Sequence, residues 1–318
     1  MIEVGYTLSS EEFPPNELVG LAARAEEAGF AFAVISDHFH PWIDRQGHSP
    51  FVWNVIGGVA QATKQLHLGT GVTCPIMRIH PAIVAQAAAT AGCMMPGRFF
   101  LGLGSGEALN EHIVGQYWPA ADVRLEMLEE AVSVVRLLWQ GGVKSHRGTH
   151  FTAVNARIYD LPERPVPILM AGAGRRSATL AGRIADGYIG TSPNPEIIRA
   201  FDQAGGSGKP RYGQLTVCWA KDREEGRKTA AQWWPNSAIE GELGQELPLP
   251  RHFEQAAQMV SEGEVERAMP IGPDPEEFLE AVRSYSDAGY DHVYFHQVGP
   301  DQKGFIEFCQ RELLPKIG

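Results

Sequence analysis

FAVISDHFHPW, residues 32–42, is a short apolar run that ends in an acid, two histidines and a tryptophan. Four consecutive apolar residues, Phe32 to Ile35, are typical of a parallel strand that is covered on both faces. In a (β/α) barrel, the polar residues that follow a strand at its carboxyl end lie at the active-site mouth. The stretch therefore predicts a buried strand and, directly after it, residues of a functional site.

Similar apolar runs recur along the chain and alternate with segments in which apolar residues keep helical spacing. Glu17–Ala28 and Leu125–Trp139 are two such helical segments. The predicted strands are Ile2–Thr7, Phe32–Ser36, His67–Thr73, Phe99–Gly104, Val166–Ala171, Gly187–Thr191, Leu215–Ala220 and His292–His296. Eight strands that alternate with helices predict a (β/α)8 TIM barrel in the α/β class, with residues 1–318 as a single domain.

A doubly wound sheet is the alternative fold. Its usual mark is a G-x-G-x-x-G turn between a strand and a helix. GLGSG (102–106) breaks this spacing, and GAGRRS (172–177) lacks the third glycine. Both turns can still bind a phosphate or a ring edge, because glycine lets backbone N–H groups approach a ligand. The barrel is therefore favoured, with 203–212 and 233–251 as loop insertions and the second as a candidate lid.

Composition excludes several classes of function. The chain has 38 acidic and 27 basic residues and a net charge of -11, which argues against a nucleic-acid partner. It lacks a run of the roughly 20 apolar residues that a membrane span needs, and its N-terminus lacks the layout of a secretory signal, so we expect a cytoplasmic protein. Neither a zinc site nor a disulfide framework is predicted from the widely spaced Cys74, Cys93, Cys218 and Cys309.

Three chemically useful side chains follow predicted strands and are expected at one mouth. His38 can move a proton near neutral pH, Glu107 can hold one in a partly dry cleft, and Trp42 can cover a planar ring. Each also has a structural explanation, since His38 suits a turn, Glu107 a first helical turn and Trp42 a hydrophobic contact. Together they favour redox chemistry on an organic cofactor, with no metal required.

The motifs SDHFHPW (36–42), GTGVTCP (69–75) and GLGSGEALNE (102–111), with GYTLSSEEF (5–13) and PILMAGAG (167–174), carry a family resemblance. They resemble the luciferase-like deazaflavin oxidoreductases, in particular the coenzyme F420-dependent glucose-6-phosphate dehydrogenases. The resemblance runs nearly end to end. It implies an eight-stranded luciferase-like barrel, coenzyme F420 at the carboxyl-terminal mouth, hydride transfer between a substrate carbon and the deazaflavin, and a homodimer.

The resemblance also implies roles for particular residues. His38, Trp42, Glu107 and Glu11 would be catalytic, and either His38 or Glu11 would take the proton of the substrate hydroxyl. The bond between Gly71 and Val72 matches a non-proline cis peptide of the family. The implied cofactor-binding residues are Asp37, Gly71, Val72, Gly106, Asn110, Ala171, Gly172, Ala173, Gly174 and Thr191.

The substrate site departs from the family pattern. The family holds a sugar phosphate with two lysines and an arginine, whereas 191–194 reads TSPN without a lysine and 240–250 is acidic. Arg267 is the remaining match, so a neutral sugar or secondary alcohol is favoured over a phosphate beside Glu240, Glu242 and Glu246. A sugar phosphate stays possible if another cation reaches the site. The expected substrate-binding residues are Cys74, Trp219 and Arg267, with Trp233 and Trp234 as further aromatic walls, and the other cations considered are Lys221, Arg251 and His252.

Three catalytic functions and one non-catalytic role follow from these residues. The first is a dehydrogenase that oxidises an alcohol or lactol with coenzyme F420, and the second is a reductase that uses the reduced coenzyme, because hydride transfer is reversible. A flavin monooxygenase on the same barrel is less favoured, since the residues match the deazaflavin group. A non-catalytic barrel is the least favoured reading, because the catalytic set is intact.

Overall fold

The computed structural model describes residues 2–239 and 241–317, and eight parallel strands close into a barrel. The strand order around the barrel is β1-β10-β9-β8-β7-β4-β3-β2. The strands are β1 Glu3–Leu8, β2 Phe32–Ile35, β3 His67–Thr70, β4 Phe99–Leu103, β5 Lys144–Arg147, β6 Thr152–Ala156, β7 Ile168–Ala171, β8 Gly187–Gly190, β9 Arg211–Val217 and β10 His292–Gln297. The predicted (β/α)8 barrel is confirmed.

Helices follow the barrel strands and cover the outside of the barrel. They are α1 Pro15–Ala28, α2 Val52–Ala62, α3 Pro81–Met94, α4 Ala108–Glu111, α5 Ala121–Leu138, α6 Arg175–Ile184, α7 Pro195–Phe201, α8 Arg223–Trp233, α9 Leu243–Glu246, α10 Pro250–Ala257, α11 Glu262–Ala268, α12 Pro275–Ala288, α13 Gln302–Phe308 and α14 Leu314–Ile317. Within the described ranges, none of these helices has both the length and the apolar composition to cross a membrane.

Large side chains fill the inside of the barrel where glycines on neighbouring strands make room. Phe32, Phe100 and Tyr294 form this inner core with smaller apolar residues. A Cβ at Gly69 would lie 1.9 Å from the Phe100 ring, and one at Gly5 would lie 2.3 Å from the Phe32 ring. Because the interior is close-packed, the glycines are as necessary to the barrel as the aromatic rings.

Two parts of the fold differ from the sequence prediction. β9 begins at Arg211, four residues before the predicted start, because Tyr212 stacks on His292 of the neighbouring strand with ring centroids 4.1 Å apart. The antiparallel hairpin of β5 and β6 was not predicted. Its strands are mostly exposed or half-buried, and Glu130 of α5 holds its turn by accepting the backbone N–H groups of 149–151. Tertiary contacts therefore define both segments.

The segment after β9 packs over the barrel mouth. Phe253 of α10 is 1% exposed and meets the Trp42 ring edge-on, with centroids 5.1 Å apart. Ile239 and Leu247 join the same apolar cluster. We call residues 233–257 the cap. The predicted lid segment, 233–251, thus lies against the mouth, apart from Glu240, which is outside the described residues.

Candidate active site

A buried acid–imidazole pair lies at the mouth. Glu11 follows β1 and His38 follows β2, and because these strands are neighbours, the two side chains meet with His38 Nε2 3.3 Å from Glu11 Oε1. The Ser36 hydroxyl donates to Glu11 Oε2 at 2.5 Å. Side-chain exposure is 4% for Glu11 and 10% for His38. The two residues that the sequence left as alternative bases therefore form one unit.

The surroundings of Glu11 keep its carboxylate charged. Burial raises the pKa of Glu11, but the opposite charge on His38 and the hydrogen bond from Ser36 lower it by more. The net pKa of Glu11 is below its ordinary value. Glu11 is therefore an ionised group, ready to accept a proton directly or through His38.

Trp42 lies between this pair and the cap. Its ring is 5.0 Å from the His38 ring, centroid to centroid, and it also meets the Phe253 ring edge-on. The backbone N–H of Trp42 donates to Gln46 Oε1 at 2.8 Å, and Gln46 Nε2 donates to the Trp233 carbonyl at 3.0 Å. Gln46 thus ties the tryptophan loop to the start of the cap.

Asn110 connects the loop that contains His38 to Glu107. Its Oδ1 accepts the Phe39 N–H at 2.8 Å and the His40 N–H at 3.2 Å, while its Nδ2 donates to Glu107 Oε2 at 3.4 Å. Asn110 itself is 2% exposed. The predicted site residues on the loops after β2 and β4 are therefore brought together by one buried amide.

The bond between Gly71 and Val72 is a cis peptide, as the family resemblance implied. The Gly71 N–H donates to the Ile35 carbonyl at 2.7 Å, which holds the loop after β3 beside the loop after β2. A Cβ at Gly71 would lie 2.1 Å from Val34, and one at Gly104 would lie 2.5 Å from Val72. Val72 therefore sits over the backbone of the neighbouring strand end.

Asp37 takes part in a charged network. Its Oδ2 accepts the Thr73 hydroxyl at 2.7 Å and its Oδ1 accepts Arg78 Nη2 at 2.8 Å. Arg78 also contacts Glu111, through its backbone N–H at 2.7 Å and its Nε at 3.5 Å. Neither Arg78 nor Glu111 was predicted, although an arginine between apolar residues in PIMRIHP (75–81) was a usable signal.

The turn after β7 contains the residues predicted to lie near the cofactor phosphate. Ala173 and Gly174 are exposed, α6 begins at Arg175, and a Cβ at Gly174 would meet nothing within 4 Å. Gly172 is half-buried, and its N–H donates to the Ile189 carbonyl at 3.1 Å. Exposed backbone at a helix N-terminus suits an anionic group. Ala171 ends β7, and Thr191 is exposed after β8.

Two of the predicted substrate residues, Trp219 and Arg267, have their described contacts with other parts of the fold, and their role in substrate binding stays a prediction. Trp219 stacks on Phe308 of α13 with centroids 5.6 Å apart, because its backbone is paired to Gln297 and its side chain points into the helical layer. Arg267 is exposed on α11, and its guanidinium lies 3.7 Å from a Cβ placed at Gly263 of the same helix. These contacts do not support an aromatic wall for the substrate at Trp219 or a phosphate contact at Arg267.

Cys74 is 4% exposed, and a Cβ at Gly106 would lie 2.5 Å from its Sγ, with φ of +76° at the glycine. Burial raises the pKa of the Cys74 thiol well above its ordinary value. Cys74 is therefore a neutral thiol behind the Gly106 turn, and its role as a substrate contact stays a prediction.

Of the three acidic residues expected to repel a phosphate, Glu242 and Glu246 lie within the described residues, and neither is buried in the mouth. Glu242 and Glu246 are exposed, and Glu246 pairs with the buried Arg124 at 3.0 Å. Glu240 lies outside the described residues. Glu242 and Glu246 therefore give less reason to exclude a phosphate than the sequence suggested, whereas the loss of the lysine in 191–194 stands.

A second acid–imidazole pair was missed. His296 of β10 is 3% exposed, with its Nε2 3.8 Å from Glu12 Oε2 and its ring 4.4 Å from the Trp234 ring. Burial raises the pKa of Glu12, while His296 and the N–H of Gly299 lower it by less. The repeated acid in SSEEF (9–13) was the available signal. Trp234, one of the tryptophans predicted as aromatic walls, packs against the His296 ring of this pair.

The chain belongs to the luciferase-like monooxygenase family, whose profile matches residues 1–292. It is 37% identical to the F420-dependent glucose-6-phosphate dehydrogenase of Nocardia farcinica, over 99% of this chain and 98% of the relative. Identity to the enzyme of that name from Mycolicibacterium gilvum is 38%, with the same shares covered. The family predicted from the motifs is therefore confirmed.

Solved structures of F420-dependent enzymes are also similar to this chain over nearly its full length. The F420-dependent secondary alcohol dehydrogenase in complex with an F420–acetone adduct has a TM-score of 0.91 and 29% identity, with 98% of each chain covered. The coenzyme F420-dependent tetrahydromethanopterin reductase from Methanopyrus kandleri has a TM-score of 0.80 at 20% identity, with 100% of this chain and 99% of that chain covered. At that identity the likeness to the reductase concerns the fold alone.

Proposed function

We propose that this protein is an F420-dependent dehydrogenase that oxidises a neutral secondary alcohol or the lactol of a free sugar. The observation that carries the proposal is the buried Glu11–His38 pair, held at 3.3 Å beside Trp42 and the cis peptide at Gly71. Relatives of this chain along its full length are F420-dependent glucose-6-phosphate dehydrogenases. The structural neighbour that acts on a secondary alcohol adds support for the substrate class.

The residues present fit coenzyme F420. The exposed backbone of Ala173 and Gly174 at the start of α6 suits a phosphate, and the space beside Gly174 is open. Val72, next to the cis peptide, and Asn110 offer an apolar and a polar contact for a planar ring. When bound there, the coenzyme supplies the acceptor for the hydride that the alcohol carbon gives up. The other proposed contacts are Asp37, Gly71, Gly106, Ala171, Gly172 and Thr191.

In this proposal the protein removes the proton of the substrate hydroxyl. The O–H bond breaks as the carbonyl forms, and the proton goes to His38 or to Glu11 within the hydrogen-bonded pair. The ionised state of Glu11 stabilises the positive charge that develops on His38. Trp42 excludes water from the reacting carbon, and Glu107, oriented by Asn110, would exchange a proton with the coenzyme.

The direct test is the loss of visible absorbance of oxidised F420 when the protein meets free sugars, secondary alcohols and sugar phosphates. Reduction by a neutral alcohol or free sugar supports the proposal. Reduction only by a sugar 6-phosphate keeps the cofactor and rejects the neutral substrate. If reduced F420 is instead consumed by a carbonyl substrate, the protein is a reductase, and oxygen uptake with reduced flavin would identify a monooxygenase.

We also propose that the protein acts as a homodimer in the cytoplasm. The resemblance to the F420-dependent family supports the dimer. Helices α2 and α3 leave an apolar groove on the outside of the barrel, in which Ile83 is 55% exposed and Met94 is 37% exposed. Trp53 and Ile56 line the same groove, so a second copy of this chain could bury these residues.

A further inference from the structure

A buried network of one cation and two carboxylates lies directly behind the proposed cofactor site. Arg78 follows the cis peptide on the loop after β3, with its side chain 7% exposed. Its guanidinium pairs with Asp37 at 2.8 Å and with Glu111 at 3.5 Å, and the two acids have side chains 1% and 0% exposed. Such a network is costly to bury, so its presence at this position is not explained by stability.

The network joins the three loops that carry the proposed site. Asp37 immediately precedes His38 on the loop after β2, and Thr73 donates to Asp37 from the loop after β3. Glu111 immediately follows Asn110, which holds the backbone of residues 39 and 40 and the Glu107 side chain. A movement of Arg78 would therefore displace residues on each of these loops.

The charges in the network do not balance. One guanidinium faces Asp37 and Glu111, and the carboxyl of Glu107 is also close enough to act on Glu111. Burial raises the pKa of Glu111 to about 7, with further increases from Glu107 and Asp37, while the backbone N–H and the charge of Arg78 oppose the rise. Cys74 also faces Glu111 and stays a neutral thiol, because burial raises its pKa well above the ordinary value.

We propose that Arg78 and Glu111 are positioning residues: ionised Glu111 shares the Arg78 guanidinium with Asp37 and thereby locks the loops after β2, β3 and β4 into the geometry that binds the deazaflavin. The proposal rests on the proposed function. Neither residue is placed in contact with the substrate. The ionised state of Glu111 orders the site and, because it is a buried charge, destabilises the fold.

This assignment predicts opposite effects on stability and on cofactor affinity in the variant Glu111→Gln. Glu111 has a folded pKa of about 7 against an ordinary value of 4.5, so its contribution to stability is present at low pH and is lost as pH rises through 7. Without cofactor, the Tm of E111Q should therefore increasingly exceed that of the wild type between pH 5 and pH 8. A packing role alone would lower stability and affinity together.

Cofactor affinity should change the other way. The dissociation constant of F420, measured by fluorescence titration, should be similar for E111Q and the wild type at pH 6, where wild-type Glu111 is mostly protonated. At pH 8 the value for E111Q should be about tenfold higher, because the neutral amide cannot replace the charge-assisted contact of ionised Glu111 with Arg78. The matched control is Glu129→Gln, which removes a surface carboxylate paired with Arg183. This variant should change neither the Tm nor the dissociation constant of F420 relative to the wild type at either pH.

Variants of Arg78 separate charge from shape. Arg78→Met leaves two acids unpaired and should weaken F420 binding at least tenfold, whereas Arg78→Lys should restore part of the affinity because lysine keeps the charge without the two-pronged geometry. If Arg78→Met fails to fold, the pH series of E111Q decides. Equal affinities of E111Q and the wild type at pH 8, or a Tm gap that does not widen with pH, would overturn the proposal.

An error in the proposed function and an error in the network proposal would give different experimental results. If the wild type binds FMN and not F420, the proposed function is wrong, and the same titrations with FMN still test the network. If the wild type binds F420 and oxidises an alcohol but E111Q shows neither predicted change, the network proposal alone is wrong.

Discussion

At the scale of single residues, the decisive feature is how Ser36 and His38 hold Glu11. The sequence placed His38 and Glu11 on adjacent loops and left them as alternative bases. The structure puts them 3.3 Å apart and adds the Ser36 hydroxyl at 2.5 Å. Ser36 was read only as a strand end, because a hydroxyl contributes to a site through its neighbours and leaves no pattern in the sequence.

Ser36→Ala should move the pH profile of the enzyme. The hydroxyl lowers the pKa of Glu11, so its loss should raise the pKa seen on the acidic limb of kcat/KM. Activity should fall first at acidic pH and stay close to wild type on the alkaline side, where Glu11 is ionised in both proteins. The control is Ser133→Ala on the exposed face of α5. An unchanged acidic limb would show that Glu11 does not act as a base.

At the scale of elements, the apolar runs of the sequence predicted the barrel strands. In the structure, glycines opposite aromatic rings allow these strands to pack. The predicted strands all appear, with ends that shift by a few residues. The exception is the start of β9, where Tyr212 stacks on His292 across strands. A contact between residues that are eighty positions apart cannot be read from local periodicity.

Gly69→Ala on β3 should destabilise the barrel. The added Cβ would lie 1.9 Å from the Phe100 ring in a packed interior, so we expect a loss of about 1–3 kcal/mol in the free energy of unfolding. Urea denaturation measures the change. The control is Gly20→Ala in α1, where nothing lies within 4 Å of the new Cβ and helix propensity should add about 0.5–1 kcal/mol. Equal stability of the two variants would contradict the packing argument.

Arg124→Leu should loosen the cap. Arg124 of α5 is 1% exposed and donates to Gln245 and Glu246 of α9 at 3.0 Å, so it ties the cap to the barrel. Hydrogen exchange of residues 243–257 should become faster, while exchange of β3 and β4 stays unchanged. Arg136→Leu, which removes an exposed pair with Asp186, is the control. Unchanged exchange in the cap would mean that its apolar contacts hold it without Arg124.

At the scale of the whole molecule, the mouth is assembled from loops that lie between residues 9 and 299, so the complete barrel is needed to form it. The cap adds an apolar cover on one side, where Phe253 meets Trp42. On the outside, α2 and α3 present the apolar groove proposed as the dimer surface. The site and the groove are separate features, so their tests are independent.

Ile83→Asp should convert a dimer to a monomer. The change places a charge in the apolar groove between α2 and α3, where Ile83 is 55% exposed in the single chain. Light scattering after size-exclusion chromatography should report half the wild-type mass. The control is Tyr117→Asp, because Tyr117 is 89% exposed outside this groove. If the wild type is itself a monomer, or if Ile83→Asp remains dimeric, the proposed surface is wrong.

The sequence by itself determined the barrel, the family and the loops that carry His38, Trp42 and Glu107, because apolar runs, helical spacing and short motifs are local signals. Tertiary structure alone decided that Arg78 and Glu111 form a buried network with Asp37, and that Trp219 stacks on α13 while Arg267 is exposed on α11. The reason is physical: which way a side chain points, and which charges share a buried space, depend on how distant strands pack around a closed barrel.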